Sequence, residues 1–127
     1  MKQLRYILFF LAISTAMSAQ SKITSTSIEV DGLCGMCKER IENAAYINGV
    51  KQVNWDKESH QLDLVFRNDK VSKEDIIASI NAAGHDVEGA IASDEQYGNV
   101  HRCCRYRDEG LRANHGLGDA LCTEAKK

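Results

Sequence analysis

The order of hydrophobic patterns between residues 22 and 91 constrains the fold of this chain more than any other feature. The segment KITSTSIEVD, over 22–31, is rich in β-branched residues and predicts a strand. Residues 37–48 have apolar positions at helical spacing and end at Gly49, which predicts an amphipathic helix. The segments VKQVNWD and QLDLVFR then alternate apolar and polar residues on either side of a polar turn, which predicts a β-hairpin.

A second helix and a last short strand follow the hairpin. Ser72 is a predicted N-cap, and the Asp75 side chain can accept a hydrogen bond from the Ser72 backbone in return. The predicted helix ends at Gly84. A strand is predicted near residues 85–91. The order β-α-β-β-α-β predicts an α+β protein with a ferredoxin-like sandwich, in which right-handed crossovers place two helices on one face of a four-stranded antiparallel sheet.

The N-terminus has the pattern of an export signal. Two basic residues precede a mostly apolar run over 6–17, and the small residues Ser18 and Ala19 follow it. The apolar run is too short for a permanent membrane-spanning helix, so we expect cleavage after Ser18 or Ala19 and no stable membrane insertion afterwards; an uncleaved anchor is the alternative. The predicted organisation is a signal peptide over 1–19, a domain over 22–92, and a C-terminal arm with a mobile tail over 93–127.

Charge and composition argue against several classes of partner and activity. The chain has 16 basic and 18 acidic residues, and loss of the leader with Lys2 and Arg5 makes it more acidic. This balance argues against nucleic acid and anionic membranes as partners. No carboxylate pair, nucleophile with a base, or phosphate-binding glycine loop stands out, so we do not predict an enzyme.

The cysteine pair of GLCGMCKERIE is the main candidate for chemistry. Cys34 and Cys37 could form a disulfide, a redox pair or a metal site. A disulfide here would close a very small loop and stabilise little, and thioredoxin-like redox proteins need a cis-proline, whereas this chain has no proline. At the start of a helix the two thiols should ionise readily, and two exposed thiolates suit Cu(I) and related soft ions.

The string VDGLCGMCKERIE, followed by NGV, the hairpin and AGHD, resembles the heavy-metal-associated domain of copper chaperones, metal-pumping ATPases and periplasmic mercury-binding proteins. The similarity covers about residues 22–91. It implies that Cys34 and Cys37 are metal thiolates. The family commonly has Gly-Met-x-Cys-x-x-Cys, whereas here Leu33 alone separates Gly32 from Cys34, so the loop is one residue shorter and Leu33 takes the core position of that methionine.

Residues outside the pair offer further ligands. His101, Cys103 and Cys104 in HRCCRYR could fold over the first pair or form a second site, and either cysteine could instead pair with Cys122. His85 lies in a loop that this fold places beside the first one. Met36 offers a thioether but could simply cover apolar surface. We predict structural roles for the remaining candidates. Trp55 should pack in the core, Asp31 should cap the end of the first strand, and His60 and His115 should be exposed to solvent.

These observations predict an exported, periplasmic soft-metal carrier that binds Cu(I), or else Hg(II), Ag(I) or Zn(II), and transfers it to an envelope efflux or uptake system or to another metal carrier. Two alternatives stay open. One is a periplasmic thiol–disulfide redox protein. The other is a closed structural zinc site formed by Cys34, Cys37, Cys103 and Cys104.

Overall fold

A computed structural model describes residues 22–115 of the 127-residue chain. Three strands and four α-helices follow one another, with one 3₁₀ turn between the last two helices. Their bounds are β1 (Ile23–Glu29), α1 (Gly35–Ala45), β2 (Val50–Trp55), β3 (Gln61–Arg67), α2 (Lys73–Ala82), α3 (Asp94–Gly98), the 3₁₀ turn (Arg102–Cys104) and α4 (Glu109–Asn114).

The strands form one antiparallel sheet in the order β1-β3-β2. β1 pairs with β3 from Ile23 opposite Arg67 to Glu29 opposite Gln61. β2 pairs with the other edge of β3, with a bulge between Val50 and Gln52. The predicted α+β class is confirmed, and β3 has the bounds that its alternating pattern predicts.

One face of the sheet and the inner faces of α1 and α2 share a single core. Because side chains alternate along a strand, Leu62, Leu64 and Phe66 of β3 all point to the same buried side. Ile41 from α1 and the two isoleucines Ile76 and Ile80 from α2 belong to the same cluster and are fully buried. The apolar residues that recur at strand spacing and at helical spacing in the sequence therefore pack together in one hydrophobic layer.

The predicted fourth strand is wrong. In its place Val87 makes isolated bridges to Val30 and Ala90. The chain reverses at Gly89, which has φ +80°, and the backbone groups of Val87 and Ala90 bond to each other at 2.8 and 3.0 Å. Beside this turn, the backbone N–H of Asp31 donates to the carbonyl of Asp86 at 2.9 Å, and that of Glu88 donates to the carbonyl of Glu29 at 3.0 Å. The contact with the end of β1 is therefore a single bridge, and the sheet of the described region has three strands.

α2 begins with the predicted N-cap and ends before the predicted glycine. The Ser72 hydroxyl accepts a hydrogen bond from the backbone of Asp75 at 3.1 Å, and the Asp75 carboxylate accepts one from the backbone of Ser72 at 3.1 Å. Beyond the helix, Gly84 adopts φ +93°, which a residue with a side chain rarely reaches. The chain leaves α2 at this point and begins the segment that carries His85.

The structure describes the arm as far as residue 115. Residues 110–114, which the sequence analysis placed in the tail, belong to α4. Val100, Cys104 and Tyr106 of the arm are buried, so this segment packs on the domain. The rest of the predicted tail, with Cys122, and the predicted signal peptide lie outside the described residues. Between residues 22 and 115, no helix has the length and apolar character needed to cross a bilayer.

Candidate metal centre

The loop between β1 and α1 is held close to the core. Cys34 is the N-cap of α1, and Cys37 lies in the first turn of that helix. A Cβ added to Gly32 would lie 3.0 Å from Cys37 and 3.0 Å from the Trp55 ring, so glycine permits the loop to pack closely there. The Trp55 indole donates a hydrogen bond of 3.0 Å to the carbonyl of Val30. The predicted packing role of Trp55 is therefore confirmed.

Three cysteine sulfurs converge at the start of α1. The Sγ of Cys34 lies 3.7 Å from that of Cys37 and 3.6 Å from that of Cys104, and all three sulfurs lie within 4.8 Å of one another. These separations exceed the roughly 2 Å of a disulfide bond. With metal–sulfur bonds of about 2.3 Å, a trigonal site needs sulfurs about 4.0 Å apart, so the cluster fits one soft ion with little rearrangement.

The two cysteines of the motif are not exposed. Cys34, Cys37 and Cys104 each have 0% relative accessibility. The sequence predicted an exposed loop, because no local pattern indicates that Cys104 of the 3₁₀ turn lies against it. A metal ion bound by these sulfurs would therefore be shielded from solvent.

The raised pKa of Cys37 contradicts the easy ionisation that the sequence predicted for this thiol. A hydrogen bond with Cys104 lowers the pKa of Cys37, but the hydrogen bond with Cys34 and burial raise it, and the net result is about 11. Hydrogen bonds with Cys34 and Cys37, together with burial, raise the pKa of Cys104. Burial and neighbouring sulfurs therefore outweigh the helix N-terminus, and both thiols are protonated at neutral pH without metal.

Cys103 lies outside this three-sulfur cluster, although its Sγ is 3.7 Å from that of Cys104. Its neighbours are the Met36 Sδ at 3.6 Å and the His101 Nδ1 at 3.2 Å. The geometry therefore assembles three of the four cysteines that the closed zinc site would need. His101, which the sequence analysis proposed as a ligand, is close to Cys103.

His85 lies next to the cluster but is not part of it. Its ring is fully buried, and its Nδ1 donates a hydrogen bond of 2.9 Å to the carbonyl of Asp31. Because a carbonyl only accepts, this bond places the proton on Nδ1 and leaves a lone pair on Nε2, which has no hydrogen-bond partner within residues 22–115. Burial lowers the pKa of His85, so the ring is neutral. A ligand role for His85 stays a prediction.

Tyr106 is a residue that the sequence analysis missed. It is fully buried, and its hydroxyl donates to the carbonyl of Gly84 at 2.8 Å and accepts from the backbone of Asp86 at 2.8 Å. Its ring stacks on His85 with centroids 5.5 Å apart. Tyr106 thereby anchors the arm beside the loop that carries His85, and it fixes the turn that positions Cys104.

Arg107 provides a second anchor for the arm. Its guanidinium donates two hydrogen bonds to the Asp86 carboxylate, at 2.7 and 3.0 Å, and one to the carbonyl of Ala92 at 2.7 Å. It also lies 4.3 Å from the centre of the Tyr97 ring. The sequence feature that could have indicated this anchor is the tyrosine and arginines that flank the cysteines in HRCCRYR. These residues follow no helical or strand period, so their burial could not be predicted from the pattern.

The remaining candidates have structural partners. His115 is not a solvent residue, because it is partly buried and its Nε2 lies 2.9 Å from the carbonyl of Cys103. His60 is partly buried too, with its ring stacked on Trp55 and its Nδ1 3.3 Å from Asp31. Leu33 is partly buried and packs against the core, as its expected position implies.

Comparisons with known proteins find matches among solved structures. No family model matches the chain, and no curated protein matches it. A structure described as the CopZ metallochaperone is 29% identical, with a TM-score of 0.48 over 50% of this chain and 98% of that one. A copper-binding domain from HMA7, a P-type ATPase, is 29% identical over 50% of this chain and 88% of its own, with a TM-score of 0.48. Oxidized MerP from Ralstonia metallidurans CH34 is 22% identical over 51% of this chain and 93% of its own, with a TM-score of 0.48. About half of this chain is thus similar to each of these structures.

Proposed function

We propose that this protein is an exported carrier of a soft metal ion, with Cu(I) as its cargo, and that Cys34, Cys37 and Cys104 hold the ion. The observation that carries the proposal is the convergence of three buried sulfurs within 4.8 Å. Thiolates are soft ligands that favour Cu(I) over hard ions such as Ca²⁺ and Mg²⁺. Within the described residues, this cluster contains none of the carboxylates that hard ions prefer.

Transfer would proceed by ligand exchange and not by enzymatic chemistry. A thiolate of the acceptor joins the ion, a sulfur of this protein leaves, and repetition moves the ion to the acceptor. Because all three sulfurs are buried, the 3₁₀ turn with Cys104 has to move away from Cys34 and Cys37 before an acceptor can reach the ion. The acceptor we propose is an envelope efflux or uptake system or another metal carrier. We also propose a periplasmic location, because the N-terminal sequence has the pattern of an export signal.

A competition titration tests this function. The reduced, purified chain is titrated with Cu(I) and with Zn(II) against chromophoric chelators, in parallel with Cys34→Ser/Cys37→Ser. We expect one tightly bound Cu(I) per chain and its loss in the double variant. Cys103→Ser is the matched control, because this cysteine lies outside the three-sulfur cluster, and it should retain the equilibrium affinity.

Two results would overturn the proposal. The first is the absence of tight Cu(I) binding, which would favour redox chemistry of the pair. The second is a tightly bound Zn(II) that an acceptor with two cysteines cannot remove, which would indicate a closed structural site. Export is tested separately by N-terminal sequencing of the protein recovered from the cell envelope, where we expect a chain that begins after Ser18 or Ala19.

A further inference from the structure

We propose that Cys103, His101 and Met36 form a second, outer site for a soft ion, through which the ion reaches the buried three-sulfur cluster. This inference rests on the proposed function and adds a path for the cargo. The His101 Nδ1 lies 3.2 Å from the Cys103 Sγ, which lies 3.6 Å from the Met36 Sδ. A nitrogen, a thiol and a thioether are the donor types that monovalent copper accepts.

The outer site lies between solvent and the buried cluster. An open cleft of about 460 Å³ is lined by residues of the arm, and Cys103 and His101 are two of them. His101 is exposed and Met36 is half-buried, whereas Cys103 keeps 5% of its accessible surface. By contrast, Cys34, Cys37 and Cys104 have none. A soft ion that arrives from solvent can therefore meet His101 and Cys103 before it meets the cluster.

The sulfurs form a continuous series from the cleft to the cluster. Cys103 lies 3.7 Å from Cys104, and Cys104 lies 3.6 Å from Cys34, both measured between Sγ atoms. Each step is short enough for one ion to bond both sulfurs at once with bonds of about 2.3 Å. The carbonyl of Cys103 is also 2.9 Å from the His115 Nε2, which fixes the backbone at the outer end of the series.

The transfer step balances without a redox partner. Copper stays monovalent throughout. Binding of the ion at the outer site displaces the proton of the Cys103 thiol to solvent. As the bond from the ion to the Cys104 sulfur forms, the Cys104 thiol loses its proton to solvent and the bonds from the ion to His101 and Met36 break. The bond to Cys103 breaks when the ion bonds Cys34 and Cys37, whose thiol protons also pass to solvent, and the Cys103 thiolate takes up a proton.

Rates and affinities measured together test this inference. Stopped-flow mixing follows the transfer of Cu(I) from a chromophoric chelator to the full-length, reduced chain, and competition titration gives the equilibrium affinity for the first Cu(I). We expect Cys103→Ser to slow uptake by about tenfold or more, and the double variant His101→Gln/Met36→Leu to slow it in the same direction. Both should keep the affinity for the first Cu(I) within about threefold of the wild type, since neither removes a sulfur of the three-sulfur cluster.

The controls separate the possible failures. Arg102→Gln, which also alters the wall of the cleft but removes no soft donor, should leave the rate unchanged. Unchanged uptake rates in Cys103→Ser and in His101→Gln/Met36→Leu, with a tight first Cu(I) in the wild type, would overturn the outer site and leave the proposed function standing. A wild type that binds no Cu(I) tightly would overturn the proposed function itself.

Discussion

The Sγ of Cys104 lies 3.6 Å from the Sγ of Cys34, although the two residues are 70 positions apart in the chain. The arm thus adds a third sulfur to a local cysteine pair and covers it. Anything that loosens the arm should therefore affect both stability and metal binding, and a bound ion should in turn stabilise the docked arm.

Tyr106→Phe tests the anchor of the arm. The change removes the hydroxyl that bonds to the carbonyl of Gly84 and to the backbone of Asp86, so we expect a loss of about 1–3 kcal/mol in the free energy of unfolding. Urea denaturation measures this change. Tyr46→Phe is the control, because Tyr46 is 60% exposed and its change should have little effect. Equal effects of the two substitutions would refute the anchoring role of Tyr106.

Gly84→Ala tests the close approach between the arm and the end of α2. A Cβ at this residue would lie 2.3 Å from a methyl carbon of Val100 and 2.6 Å from the carbonyl oxygen of Gln96, and the backbone has φ +93°. We expect a loss of at least about 1–3 kcal/mol in the free energy of unfolding. Gly98→Ala, whose Cβ would meet nothing within 4 Å, should be neutral or slightly stabilising. A neutral result at Gly84 would contradict the docked position of the arm.

Asp86→Asn should destabilise the protein in a pH-dependent manner. Partial burial raises the pKa of Asp86, but the hydrogen bonds from Arg107 and Ala92 outweigh it and hold the pKa below its usual value. A lowered pKa stabilises the folded state above the unfolded-state pKa of about 3.9, and this contribution is lost as the pH falls through the folded pKa. The difference in unfolding free energy between the wild type and Asp86→Asn should thus be largest near neutral pH and shrink in acid.

Chemical denaturation at a series of pH values measures that difference. Asp94→Asn is the control, because the Asp94 side chain is fully exposed and its pair with Arg107 is longer, at 3.3 Å. A difference for Asp86→Asn that grows as the pH falls would show that the sign of the linkage is wrong.

Cu(I) binding should release protons. Because Cys37 has a pKa of about 11 and the pKa of Cys104 is also raised, both thiols are protonated at neutral pH and must deprotonate to bind the ion. We expect about two protons or more per Cu(I), and an apparent affinity that rises about tenfold per pH unit for each proton released. Calorimetry in buffers of different ionisation enthalpy counts these protons. Release of fewer than one would contradict protonated thiols.

The sequence predicted the elements whose patterns are regular. The alternation of QLDLVFR located β3, and Ser72 with Asp75 located the start of α2. Local patterns determine such elements, so one segment at a time is sufficient to recognise them. The prediction of a fourth strand was wrong because residues 85–91 contain a turn at Gly89, whereas their β-branched and apolar residues are typical of a strand.

The arm was harder to predict because its elements are too short to show a period. Its 3₁₀ turn has three residues and α3 has five. Cys104 was recognised as a candidate ligand, but its contact with Cys34 depends on the burial of Tyr106 and on the pair between Arg107 and Asp86. Contacts of this kind join distant segments, and no spacing within the sequence encodes them.

X-ray absorption at the copper edge tests the three-sulfur site most directly. The wild type loaded with one equivalent of Cu(I) should show three sulfur neighbours at about 2.3 Å, and Cys104→Ser should show two. Two sulfurs in the wild type, unchanged in Cys104→Ser, would contradict the role of the arm in binding the ion.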